Sequence, residues 1–303
     1  MTEPIRVGMI GCDTSHCGAF ARAFNDAKDA GHVPGFRVVA VYPSFSPDVK
    51  SSVERVEGYK KELSEKYGVR AAGSIEQMLA EVDVVLLESV DGRRHLPELK
   101  PVAKAGKPVY IDKPFAAGLA DAKEMARIIR EASLPAFSSS SLRFDGAFTG
   151  FLARKNEFGQ VIGCDAFSPA HLEPTNPGLF WYGIHGVEIL YTLMGPGCRK
   201  VSCTSTEDGD LAVGVWPDGR IGTMRGIRKG KADYGASVLT EKGKPQMLTA
   251  SGDYYRKLVA AIAEFFKTRR PPVPIEVTLE ICAFMDAALQ SARKGGDEVE
   301  LAV

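Results

Sequence analysis

Two segments have the residue types and spacing for chemistry. The first is Ile111-Asp112-Lys113-Pro114, which closes the apolar run Lys107-Pro108-Val109-Tyr110. Proline fixes φ and lacks an N–H, so a strand's ladder stops there and Lys113 stands at its carboxyl end. In open α/β sheets ligands bind outside that edge. An ammonium placed there can hold a hydroxyl or carbonyl oxygen and share its proton during redox chemistry. The second is Phe180-Trp181-Tyr182-Gly183-Ile184-His185-Gly186-Val187-Glu188. His185 and Glu188 lie three residues apart and share a face if the segment is helical. Imidazole titrates near neutral pH and suits proton transfer to or from a carbinol. Gly183 and Gly186 around His185 suggest a ring approached closely by another group. The plainer readings are a strand-end lysine facing water and a packed helix start in which Glu188 satisfies His185.

A third segment runs Val7-Gly8-Met9-Ile10-Gly11-Cys12-Asp13-Thr14-Ser15-His16-Cys17-Gly18. It reads as a strand-to-helix turn, the place where dinucleotide folds carry GxGxxG. Gly11 holds the first glycine position, while Asp13 and His16 occupy the other two. Asp13, Thr14 and Ser15 are all competent N-caps, and a helix N-terminus favours an anion. Gly11, Cys12, Asp13, Thr14, Ser15 and His16 are therefore candidate cofactor contacts, with a purely structural turn as the alternative. The next strand ends in Val41-Tyr42-Pro43-Ser44-Phe45-Ser46, without the acid that holds the ribose of NAD and without an adjacent arginine for NADP. Ser44 is the candidate contact there. Ser89, in Glu88-Ser89-Val90-Asp91, is the candidate on a further rim loop, with Asp112 and Lys113 beyond it. Arg93 and Arg94 could meet a phosphate or only water. His171, Glu173, His185 and Glu188 lack a compact ligand spacing, so no metal is expected.

These side chains need a frame, and the periodicity supplies one. Nearly continuous apolar runs at 6–11, 36–42, 69–72, 82–87, 108–111 and 136–142 alternate with helical patterns at 17–27, 53–67, 74–80, 96–105 and 119–132. Strands apolar on both faces belong to a doubly wound parallel sheet. Beyond Phe144 strand-like stretches follow with few helices between them: 161–167, 200–206, 211–216, 220–226, 236–240 and 246–249. Asp218-Gly219 marks a hairpin, so an open, mostly antiparallel sheet is expected. Helices are expected at 182–194, 254–267 and 275–294. The division is a nucleotide-binding domain over 1–143 and an α+β domain over 144–303, with the site in the cleft between them. Leu211, Val213 and Val215 alternate with Ala212 and Gly214, so neither face of that strand suits water. A homo-oligomer built through the second sheet is expected.

Composition narrows the classes. Of 303 residues, 38 are Lys or Arg and 38 are Asp or Glu, so no charge footprint marks a nucleic acid or an anionic membrane as partner. No apolar run approaches the ~20 residues of a membrane span. The start, Met1-Thr2-Glu3-Pro4, lacks the pattern of a signal peptide, and six cysteines form no CxxC. Reduced thiols and a cytoplasmic setting are expected.

In their order these segments resemble the glucose-fructose oxidoreductase / inositol dehydrogenase (Gfo/Idh/MocA) family. The resemblance rests on Val7-Gly8-Met9-Ile10-Gly11, on Asp112-Lys113-Pro114 in place of the family's Glu-Lys-Pro, and on Leu142-Arg143-Phe144-Asp145. It continues through Gly183 to Glu188, Phe266 to Pro272, Met285-Asp286-Ala287-Ala288 and Ser291-Ala292-Arg293. It implies a Rossmann domain followed by an α/β domain with an open sheet. It also implies NAD or NADP as cofactor and a sugar, cyclitol or related polyol as substrate. By the same resemblance Lys113 and His185 are the catalytic pair, and Arg143, Trp181, Tyr182, His185 and Glu188 line the substrate. Where the family carries Asp four residues before the histidine, this chain has Trp181. A transient-redox lyase or hydrolase, or a non-catalytic sugar-binding protein, are the alternatives on the same fold.

Overall fold

The computed structural model describes residues 3–303. The chain divides into two compact units, one of residues 1–116, 120–139 and 258–275, the other of 117–119, 140–257 and 276–303. The main crossing falls at 139/140, near the expected boundary at 143/144. Residues 258–275 belong to the first unit, which no composition shift announces.

The first unit alternates β1 (Ile5–Ile10), α1 (Ser15–Asn25), β2 (Phe36–Tyr42), α2 (Lys50–Tyr67), β3 (Arg70–Ala71), α3 (Ile75–Leu79), β4 (Val84–Leu87), α4 (Gly92–Lys104), β5 (Val109–Ile111), α5 (Leu119–Glu131) and β6 (Ala136–Ser138). The six strands form a sheet in the order β3-β2-β1-β4-β5-β6 with parallel pairings. The strand order reverses between β1 and β4, the switch point at which such sheets bind ligands. Val84 to Leu87 and Val109 to Ile111 are fully buried, as strands covered on both faces must be. Side-chain caps set the helix starts: Thr14 accepts from His16 N on α1, Ser74 from Gln77 N on α3 and Asp91 from Arg93 N on α4. The Asp91 cap starts α4 at Gly92, earlier than the expected 96, with Pro97 and Pro101 inside the helix. Strand β6 is shorter than the expected 136–142 because Ser140 caps a 3-10 turn over Ser141–Phe144.

The second unit contains α6 (Gly146–Ala153), α7 (Lys155–Phe158), β7 (Val161–Pro169), α8 (Ile184–Met194), β8 (Lys200–Ser205), β9 (Gly209–Val215), β10 (Ile221–Ile227), β11 (Gly235–Thr240) and β12 (Gln246–Thr249). Helix α9 (Tyr254–Thr268) runs on into residues of the first unit, and α10 (Ile275–Arg293) and β13 (Val299–Glu300) follow. The sheet order is β12-β11-β7-β10-β9-β8-β13. It is mostly antiparallel, as expected, and mixed in one place, where β7 pairs with β10 in parallel. The long connection through α8 brings the chain back to β7 from the same end, which a hairpin pattern does not reveal. Cys164, Ala166, Ala212, Met224, Ala236 and Val238 on one face are buried, and α8 packs on it. Gly186 permits that packing, since a Cβ there would stand 2.6 Å from Met224 Cε and 2.9 Å from Ser168 Oγ. The glycine beside His185 thus serves helix-on-sheet contact rather than approach to the imidazole. No described helix is long and apolar enough to cross a membrane.

Candidate functional site

At the switch point the turn after β1 is drawn against the end of β4. Gly11 has φ +93, and a Cβ on it would lie 2.3 Å from Ser89 N. A side chain there meets both a left-handed backbone and a wall of main chain. Gly11→Ala should lower stability by roughly 1–3 kcal/mol, read as a fall in Tm; an unchanged Tm would contradict the packing described.

Asp13 turns inward. It is fully buried and accepts from Val90 N at 3.0 Å and Ser52 Oγ at 2.6 Å. Burial pushes its carboxyl pKa up, against the pull of those two donors. The turn is further tied by Cys12 N to Ser44 O at 3.2 Å. Ser44 and Ser89 donate their hydroxyls to the two oxygens of buried Glu98, and Ser46 donates to Asp91 at 2.7 Å. Arg94 Nη2 reaches Ser44 Oγ at 3.0 Å. The structure therefore brings an arginine to the end of β2, where the local sequence has none. Arg93 is committed to Asp48 and Asp91. Ser15 remains exposed at the start of α1, and the first turn of α1 holds no acidic residue.

Behind Ser15 the ring of His16 is buried and stacks on Phe20, centroids 5.3 Å apart. Its Nδ1 lies 2.8 Å from Asp112 Oδ2 and 3.6 Å from Glu88 Oε2. Burial works against the imidazolium, but Asp112 and Glu88 outweigh it and hold the pKa up at about 9. Burial raises Glu88 to about 7, moderated by His16. Burial also opposes ionisation of Asp112, but His16 and Lys113 prevail and hold it at about 2. Lys113 follows on the half-buried rim after β5, joined to Pro114 by a cis peptide.

In the second unit the start of α8 carries His185, buried, with Nδ1 2.6 Å from Ser140 Oγ. Ser140 N donates to Glu188 Oε1 at 3.1 Å. Arg143 grips Glu188 Oε2 through Nε at 2.7 Å and Nη2 at 2.6 Å. Glu188 thus fixes the segment that carries Ser140, and Ser140, not Glu188, meets the imidazole. Tyr182 and Tyr234 stand edge-on to the His185 ring, with centroids at 5.1 and 5.6 Å, and their hydroxyls meet at 3.1 Å. His171 packs on Tyr182, and Tyr254 on Tyr234. Trp181 is half-buried just before α8. Ser140 and Tyr234 were not legible as site residues. The serine run 138–141 looks like filler, and Tyr234 comes from a distant loop before β11.

Comparison with known proteins places the first unit. Residues 5–139 match the family model GFO_IDH_MocA, the oxidoreductase family with an NAD-binding Rossmann fold. Among solved structures, scyllo-inositol dehydrogenase from Lactobacillus casei superposes with a TM-score of 0.80 at 15% identity, covering 100% of each chain. Myo-inositol 2-dehydrogenase from Lactobacillus plantarum gives 0.78 at 15% identity over 99% of this chain and 100% of that one. GenD2 from gentamicin A biosynthesis, solved with NAD, gives 0.77 at 16% identity over 100% of this chain and 98% of that one. No curated protein matches by sequence. At such identities the likeness to solved structures is one of fold.

Proposed function

We propose that this chain, whose residues 5–139 match the Gfo/Idh/MocA oxidoreductase family model, is a pyridine-nucleotide dehydrogenase acting on a CH–OH group of a cyclitol, sugar or related polyol. The observation that carries the reading is the match of residues 5–139 to an NAD-binding Rossmann oxidoreductase family; Lys113 after β5 and His185 at the start of α8 are the proton-handling groups assigned to it.

The β1–α1 turn fits a dinucleotide at its diphosphate end. The carboxylate of Asp13 is turned away onto Val90 N and Ser52 Oγ, so it does not face an anion. Exposed Ser15 and capping Thr14 stand at the N-terminus of an eleven-residue helix without an acid in its first turn. Gly11, Cys12, Thr14 and Ser15 would hold the diphosphate, and Ser44 with Arg94 would meet the ribose end. When bound, the nucleotide accepts the hydride of the carbinol carbon.

Lys113 holds the substrate oxygen and steadies the negative charge that grows on it as the C–H bond breaks. His185 accepts the hydroxyl proton at Nε2 while its Nδ1–H donates to Ser140 Oγ. That hydroxyl retains a lone pair for the purpose, although Leu142 N already donates to it at 3.2 Å. Tyr182 and Trp181 offer aromatic surface to the C–H face of a neutral ring. Neutral polyols suit this array, because Glu188, the carboxylate beside it, is neutralised by Arg143.

Calorimetric titration tests the reading. NAD(H) or NADP(H) should bind saturably in the micromolar to sub-millimolar range, and Arg94→Ala should weaken NADP(H) more than NAD(H). Absence of saturable binding by either nucleotide, in folded protein, would remove the dehydrogenase reading.

The uncovered face of the second sheet carries exposed Ile221, Leu239 and Met247 around Leu211, Val213 and Val215. Their burial calls for a second copy of the chain. Sedimentation velocity at micromolar concentration should show an oligomer, and a monomer would refute this assembly. Six free, buried cysteines accord with a reducing, cytoplasmic setting.

A further inference from the structure

We propose that His16, Glu88 and Asp112 form a binding site for a divalent transition-metal ion, closed within the first unit. One ligand atom from each lies within 4.8 Å of the others, and all three side chains are buried. The dehydrogenase reading does not require this site, and its test does not depend on activity.

Geometry is the first support. In a tetrahedral zinc site, bonds of about 2.0–2.1 Å place neighbouring ligand atoms about 3.3 Å apart. The separations from His16 Nδ1 are 2.8 Å to Asp112 Oδ2 and 3.6 Å to Glu88 Oε2, on either side of that value. Small side-chain shifts would open the triad around an ion. Its members come from three elements that the sheet fixes side by side: the start of α1 and the ends of β4 and β5.

Glu88 gives the second support. It has no exposed surface, and among the described residues neither carboxylate oxygen has a hydrogen-bond donor, His16 Nδ1 standing off at 3.6 Å. A buried carboxylate left that way is costly, and native interiors rarely tolerate it without an ion or another explanation. A bound dication would balance the two carboxylates and leave the imidazole neutral. Without the ion, the imidazolium of His16 and the neighbouring Lys113 ammonium share that balance.

The surroundings hold the ligands as metal sites do. Phe20 stacks on the His16 ring and fixes its plane. Tyr110 OH, which donates to Ser139 O at 3.0 Å, also lies 3.3 Å from Asp112 Oδ1, while Oδ2 is the oxygen nearest His16 Nδ1. One nitrogen and two carboxylates match zinc, iron(II), cobalt(II) or manganese(II) rather than a thiophilic ion. Three protein ligands leave the fourth position of a tetrahedral ion to a water, and the ion would pin the β1–α1 turn to the ends of β4 and β5.

The test uses the intact protein, stripped with chelator and checked for fold by circular dichroism, then titrated calorimetrically with Zn²⁺ and separately with Co²⁺. One equivalent should bind with a Kd in the micromolar range or tighter. Co²⁺ should give visible absorption of a low-coordinate N/O site without a thiolate charge-transfer band. Glu88→Gln keeps the shape and should weaken binding roughly tenfold or more, while Cys12→Ala should leave it unchanged. The proposal fails if the wild type binds no ion. It also fails if Glu88→Gln binds as tightly as the wild type, or if the cobalt spectrum shows thiolate ligation. Should Glu88→Gln not fold, the wild-type cobalt spectrum and stoichiometry decide the matter.

Discussion

Replacing Lys113 with alanine should reduce turnover roughly 10²–10⁴-fold, the range for a positioned acid–base group. Lys113 is held by its place after a fully buried strand, with Pro114 behind it. In the proposed mechanism alanine removes the ammonium that steadies the oxygen during hydride departure, without touching the turn at Gly11. Nucleotide affinity should therefore stay within a few-fold of the wild type, and the loss should appear in kcat. Lys113→Arg should not restore the rate, because the broad planar guanidinium does not place a compact charge where the ammonium stood. Steady-state kinetics beside a binding titration checks both halves. Full activity in Lys113→Ala would remove the lysine from the mechanism.

Replacing His185 with alanine should cost a similar factor, roughly 10²–10⁴-fold. Its imidazole is anchored by one bond to Ser140 and enclosed by Tyr182 and Tyr234. The vacated space should admit free imidazole, so added imidazole should recover part of the rate. Rescue separates a missing proton acceptor from a collapsed pocket. Ser140→Ala should do less, lowering kcat and shifting the alkaline-going limb of its pH profile, with KM nearly unchanged. A histidine variant with wild-type rates would show that proton transfer uses another group.

The sheet of the first unit was legible because its chemistry is local. Continuous apolar runs declared β4 and β5, and the helical pattern at 74–80 met α3 to within a residue at each end. Phe36–Tyr42 and Gln246–Thr249 were readable to the residue. What escaped depends on distant pairing. The parallel contact of β7 with β10 is set by a crossover, and no periodicity encodes it. Residues 258–275 carry Phe265 and Phe266, whose partners Phe137 and Phe36 lie far away in sequence.

The candidate sites divide in the same way. Asp112-Lys113-Pro114 and His185 stand out through local context. Asp13 did not reveal that it would turn inward, because its partners Ser52 and Val90 lie on other elements. His16, Glu88 and Asp112 showed no ligand spacing, since three different segments supply them. Arg94 looked like a loop arginine, yet α4 carries it to Ser44.

In the proposed reaction hydride passes from a polyol carbon to a bound nicotinamide. Its most direct test follows deuterium. The protein is incubated with NAD⁺ or NADP⁺ and a panel of inositols and sugars deuterated at their carbinol carbons, and the nucleotide is analysed by mass spectrometry. The account predicts reduced nucleotide carrying one deuterium from at least one substrate, with the signal lost in Lys113→Ala. Nucleotide that binds yet stays oxidised across the panel, or reduced nucleotide without deuterium, would contradict it.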